Sequence, residues 1–203
     1  MKRLEISLLI AFIFCTVLSM SALNIECEEI RESVLRLHVL ANSDDEADQN
    51  LKLKVRDRLL EVSNDIYADA QSRDDAIIST ESNLALLQSE AEEVIKNSGY
   101  NYPVNVELED TYFTTRTYGD ITLPAGTYKA VRVIIGEGKG HNWWCVMFPP
   151  LCISAASEEE SELEDVLTDE QMDLVEGTPY EAKFKCVEWY EELKQYFSNQ
   201  SQK

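Results

Sequence analysis

The chain has 203 residues, enough for one domain with a real core, or a domain plus an appendage. Its apolar content of 44% is that of a folding sequence and excludes wholesale disorder. A formal net charge of −20 argues against nucleic acid or an anionic membrane surface as the main partner, because both would repel it, and suits partners with basic patches.

At the N-terminus Lys2 and Arg3 precede an almost wholly apolar run, Leu8 to Leu18. Ser19, Ser21 and Ala22 then supply the small residues a signal peptidase requires. Residues 1–22 are expected to be a signal peptide or N-terminal membrane segment, and Ile6 to Ile25 is nearly long enough to span a bilayer. Asn24-Ile25-Glu26 lacks the small residues that precede a lipidated cysteine, so Cys27 does not read as a lipoprotein anchor. Export leaves Cys27, Cys145, Cys152 and Cys186 in an oxidising compartment, where three disulfide connectivities are open to them. Cys145 with Cys152 is the pair nearest in sequence. A C-x6-C with two lone cysteines and two histidines is a poor zinc set, so neither metal nor cofactor is expected.

From Val34 to Ala41, Leu35, Leu37 and Val39 alternate with Arg36 and His38, predicting a strand with one buried side. Ser43 and Glu46 have capping-box spacing, and Leu51, Val55, Leu59, Val62 and Ile66 form the stripe of the helix that follows. Ser72 and Asp75 open a second helix, with Ile77, Leu84, Leu87, Ala91 and Val94 inward; Asn97-Ser98-Gly99 ends it. The period then changes to two at Val104, Val106 and Leu108, and Tyr112 to Tyr118 reads as the second arm of a hairpin. Tyr128 to Ile135 is apolar on both faces, which predicts a central strand. Gly136 to Gly140 is a turn and Asn142 to Phe148 a further strand. Between Lys139 and Lys183 there is no basic residue, and Ser157 to Asp173 reads as a solvated acidic connector with a helical turn near Leu163 to Leu167. Thr178, Pro179 and Glu181 start a last helix, made amphipathic by Phe184, Val187, Tyr190, Leu193 and Phe197.

The predicted fold is a single α+β domain after the signal segment, a mixed, mostly antiparallel sheet packed with helices. Residues 28–152 form its core, 153–178 the acidic connector, and 179–198 a C-terminal helix packing on the core.

His141 and Cys145 are the obvious base and nucleophile of a thiol hydrolase. Four positions along a strand, however, separate them by about 13 Å, unless the glycine turn bends or His38 serves instead. Carboxylates are too abundant in this chain to mark a glycosidase. The glycines at 136, 138 and 140 precede a strand rather than a helix and lack the GK[ST] of a phosphate loop. Lys52, Lys54, Arg56 and Arg58 crowd two helical turns, either as salt bridges to Asp48, Asp57 and Glu61 or as a basic docking strip. Trp143 and Trp144 must point to opposite faces of their strand, one of them into the core.

Three stretches, LRLHVLANSD (35–44), LKLKVRD (51–57) and PAGTYKAVRVIIGEGKGHNWWCVMFPPLC (124–152), resemble in order and spacing the stage II sporulation protein R family. The resemblance covers about Leu35 to Cys152, and more loosely the last helix. It implies a signalling ligand rather than an enzyme, exported from the forespore into the space between the two sporulation membranes. There the family activates a membrane-embedded aspartic protease that processes the pro-sigma-E precursor. That protease is the partner implied, with no nucleic acid and no small-molecule substrate. Arg36, His38, Asn42, Asp44, Arg56, Asp57, Asn142, Trp143 and Trp144 become the candidate partner-binding residues, and Cys145 and Cys152 the candidate disulfide. An exported hydrolase of cell-wall or thiol type, using Cys145 and His141 or acidic residues, is the alternative.

Overall fold

A computed structural model describes residues 2–118, 121–150, 167–175 and 182–201. The chain opens with one unbroken helix, α1 (Lys2–Ser33). Leu4, Leu8, Phe12, Phe14 and Leu18 are among its exposed apolar side chains, while its last turns sink Cys27, Ile30 and Arg31 into the domain.

The domain is built on a four-stranded sheet. Strand β1 (Leu35–Leu40) is central, parallel to β5 (Gly126–Ile135) and antiparallel to β6 (Asn142–Phe148), and β2 (Val104–Phe113) pairs antiparallel with the far side of β5. The order β2-β5-β1-β6 makes the sheet mixed and puts β5, apolar on both faces, in an inner position. Helices α2 (Glu46–Ile66) and α3 (Arg73–Asn97) cover one face. Leu35, Leu37, Val39, Val104, Val106, Val131, Val133, Cys145 and Met147 meet Leu51, Val55, Leu59 and Leu87 there. The other face carries Tyr128, Ala130, Val146 and Phe113. It is covered by the root of α1, by a two-stranded sheet of β3 (Arg116–Tyr118) and β4 (Ile121–Leu123), and by α4 (Asp169–Val175). Val187 of the last helix, α5 (Ala182–Ser201), joins the same cluster.

The two long helices are locked to each other by polar contacts as well as apolar ones. Tyr67 and Thr80 share a 2.8 Å hydrogen bond, and burial pushes the Tyr67 phenol up to about 12. Arg58 of α2 donates to Glu90 of α3 at 2.7 Å.

Three local expectations need correction. Asp45, not Ser43, is the N-cap of α2, because the Ser43 hydroxyl is taken by Asp48 at 2.6 Å and a tertiary contact has displaced the local one. At α3 the expected cap forms, with Ser72 Oγ accepting from the Asp75 amide and donating to the Asp75 carboxylate. Strand β2 runs on to Phe113 along β5, so Tyr112 is no hairpin arm; the hairpin that forms is β3 with β4. The expected helical turn near Leu163 to Leu167 lies almost wholly outside the described residues; a short helix follows at Asp169–Val175, where Met172, Leu174 and Val175 have a cluster to bury against. Residues 151–166, with Cys152 and most of the acidic connector, lie outside the described residues, as do 176–181 with the expected cap of α5. Of that helix's expected inward stripe, Val187 is buried, but Tyr190, Leu193 and Phe197 are 46%, 56% and 63% exposed.

Candidate functional site

The LANSD and GEGKGH stretches, nearly 100 residues apart, are two halves of one clasp. The β1–α2 loop and the β5–β6 turn face each other because their strands flank the same sheet position. Backbone bonds run from Gly140 N to Ala41 O (2.9 Å) and from Lys139 N to Asn42 O (3.2 Å). Asn42 Oδ1 accepts from the Glu137 amide at 3.0 Å, and Asn42 Nδ2 donates to Asp48 at 2.7 Å. Bonds from Ser43 and then Asn42 hold the nearly buried Asp48 carboxyl below its usual range. The glycines are there because of the fit. A Cβ on Gly136, which also has φ +59, would lie 2.2 Å from Asn42 Oδ1, and one on Gly140 would lie 2.1 Å from the Ser43 carbonyl oxygen. Lys52, 4% exposed, completes the clasp by donating to Gln49 Oε1 at 2.6 Å and to the His141 carbonyl at 2.9 Å. Burial lowers its pKa.

The clasp presents the first residues of β6, the edge strand beyond β1 in the described sheet. His141 donates its backbone N–H to Asp44 Oδ1 at 2.6 Å and places its ring Nδ1 on the same oxygen. Both side chains are largely in solvent, at 80% and 56% exposure. The bonds from His141 lower the Asp44 pKa. Asn142 is exposed beside them. Trp143 points to the α2 face, where the Arg56 guanidinium lies 4.3 Å from its ring centroid and also holds the exposed Asp57 carboxylate at 2.5 Å. Its indole nitrogen is buried without a hydrogen-bond acceptor. Asp44, Arg56, Asp57 and Trp143 thus lie around the start of this strand edge, with His141 among them, while Asn142 belongs to the opposite, Trp144 face, beside His38.

Trp144 points the other way, as the strand period requires. It stacks on His38 at 3.8 Å and 10°, meets Phe113 edge-on at 4.7 Å, and lies 5.6 Å beneath the Arg116 guanidinium. His38 is 5% exposed, with both ring nitrogens buried and without partners. Desolvation brings its pKa down to about 4; the Arg132 charge adds to the fall, and the nearby Asn142 side chain and Glu109 oppose it.

Arg36 and Asn42 face inward. Arg36 is 0% exposed and no carboxylate among the described residues pairs with it. Its Nε donates to the Cys145 carbonyl at 3.0 Å and one terminal nitrogen to Tyr118 Oη at 2.5 Å, with Phe113 and Tyr128 ring centroids at 4.1 and 4.8 Å. Such a group holds β6 and the small sheet on β1; it offers nothing to a partner directly. The basic strip of α2 divides likewise: Lys52 is buried in the clasp, Arg58 pairs with Glu61 and Glu90, Arg56 is on Trp143, and Lys54 stays exposed.

His141 and Cys145 do not form a catalytic pair. The imidazole is turned to Asp44, while Cys145 is 2% exposed in the core and disulfide-bonded. Cys15, Cys27 and Cys186 are thiols. Among the described residues no cluster of three or more His, Cys, Asp or Glu has metal-ligand geometry. Sequence reasoning took His141 as a base and overlooked it as a surface group, and it missed Arg116. The Asp44–His141 bond spans 97 positions, so only tertiary structure reveals it.

Comparison with known proteins bears on residues 31–158, which match the family described as stage II sporulation protein R. The stage II sporulation protein R of Bacillus subtilis (strain 168) is 34% identical over 187 residues, covering 81% of this chain and 83% of that protein. No solved structure matches the chain.

Proposed function

The chain belongs to the stage II sporulation protein R family, and from that premise we propose that it is an exported signal between the two compartments of a sporulating cell. Made in the forespore, it switches on a membrane-embedded aspartic protease, and so the processing of the pro-sigma-E precursor, from the space between the two membranes. In this reading it is a ligand and not an enzyme. One observation supports it above the rest: the clasp, which lies wholly within the matched region, presents contact groups outward. A carboxylate–imidazole pair, an exposed amide and a guanidinium stacked on indole form a surface suited to docking a protein. The cysteine that a thiol hydrolase would need is inside the core.

Asp44, Arg56, Asp57, His141, Asn142 and Trp143 are the proposed contact surface, with Arg36, His38, Asn42 and Trp144 positioning it from behind. Export goes through the α1 segment, which is long and apolar enough to cross a membrane. Cys145 pairs with Cys152 in the same reading.

The test is co-expression of the full chain with the candidate protease and its precursor substrate, scoring cleavage and physical association together. Cleavage and co-purification are both expected. Activation without association would overturn the ligand reading. So would a folded Cys145→Ser/Cys152→Ser variant that binds normally but fails to activate, since it would return the cysteine to catalysis.

A further inference from the structure

The last helix is fixed to the domain by a small part of its surface. Val187 is buried with Cys27 and Ile30 of α1, and Glu191, 4% exposed, faces Arg31 at 3.7 Å. Much of the rest turns apolar groups outward. Trp189 is 59% exposed, Tyr190 46% and Leu193 56%, and Tyr196 and Phe197 continue the stripe. At 100° per residue the five fall within an arc of about 120°, one continuous face. The helix is also electrically neutral, with three lysines against three glutamates, in a chain whose net charge is −20.

The level at which α5 is attached to α1 decides what that face meets. A hydrocarbon core of about 30 Å takes about 20 helical residues, so a span that begins at Leu4 ends near Leu23. The headgroup zone adds about 6 Å on that side, roughly four more residues, to about Cys27. Cys27, Ile30 and Arg31 are already inside the domain, and α1 reaches them without a break. No linker separates the domain from the bilayer. Val187 and Glu191 rest on those same residues, which puts that turn of α5 at the outer edge of the headgroups. Trp and Tyr are the side chains that partition there, having an apolar body and a polar tip.

We propose that the Trp189–Phe197 face of α5 seats on the lipid headgroup surface and fixes the tilt of the domain on the membrane. The proposal rests on α1 being retained as a membrane span. A neutral helix suits zwitterionic headgroups and escapes the repulsion that the net acidity of the chain would otherwise bring.

The full chain, reconstituted into phosphatidylcholine vesicles with or without acyl chains brominated at shallow positions, tests both parts separately. Flotation reads α1 and tryptophan quenching reads α5. The chain is expected to float, and bromine is expected to remove roughly a third of the emission, Trp189 being one of three tryptophans. A Trp189→Phe variant with unchanged circular dichroism should float equally and lose that quenching. Floating chains with no quenching, or with equal quenching in both, would overturn the seat of α5, as would a cross-linked dimer that shields the stripe. Failure to float would instead remove the retained span, and the proposal with it.

Discussion

Glycine and histidine show best how single residues serve the candidate surface. At Gly140 a β-carbon would intrude on a backbone carbonyl that the β1–α2 loop cannot easily move, since Asn42 and Ser43 are both tied to Asp48. Gly140→Ala should therefore cost about 1–3 kcal/mol, the range for forcing an extra group into a packed site, and lower the thermal midpoint. An unchanged midpoint would mean that the clasp yields readily. At His38 the prediction concerns pH. The unfolded imidazole takes up a proton near pH 6.5 and the folded one only near pH 4, so between those values the unfolded chain holds more protons. Stability should fall as pH drops through that window, by about 3 kcal/mol if the group acts alone. Urea midpoints should show this slope in the native chain and much less of it in His38→Phe, which keeps an aromatic partner for Trp144. A slope retained in full would assign it elsewhere. Asp48 belongs to a separate and lower window, because its depressed pKa withdraws stability only as pH falls below the ordinary carboxylate range.

The elements were legible in the sequence wherever their hydrophobic period was set by a face buried along its whole length. Leu35-x-Leu37-x-Val39 and Val104-x-Val106-x-Leu108 are strands on a helix-covered face, and Leu51, Val55, Leu59 and Val62 are the stripe that covers it. Legibility ended where a tertiary contact overrode a local one. Ser43 has the spacing of a cap but serves Asp48, and Arg116–Tyr118 leaves the main sheet for a two-stranded one of its own. The last helix has an amphipathic stripe, yet its pattern could not say whether a core or another surface receives it. Element cohesion at the clasp has a direct measure. Asp48→Ala leaves the Asn42 amide and the Ser43 hydroxyl without their acceptor in a nearly closed site, which should cost about 1–3 kcal/mol in a denaturant titration. A loss within a few tenths of a kcal/mol would show that the loop and turn hold together through backbone bonds alone.

For the whole molecule, the arrangement is an α+β domain continuous with a long apolar helix, with a clasp at one end of the sheet bringing charged, amide and aromatic groups to an edge strand. The sequence-derived candidates were a mixture of two kinds of residue. Arg36 maintains the architecture by burial and Asn42 by its bonds to Glu137 and Asp48, while Asp44, Asp57 and Asn142 are exposed and Arg56 and Trp143 half-buried against each other, a division that periodicity alone could not make. It also explains why the motifs read as one signal: the loop and the turn cannot keep their shapes apart. The most direct test of the docking surface is to measure protease association and precursor cleavage with a full chain carrying Asn142→Ala and Trp143→Ala, its fold checked by circular dichroism. Loss of both association and cleavage from a folded protein is the predicted result. A folded variant that binds and activates like the native chain would contradict the account.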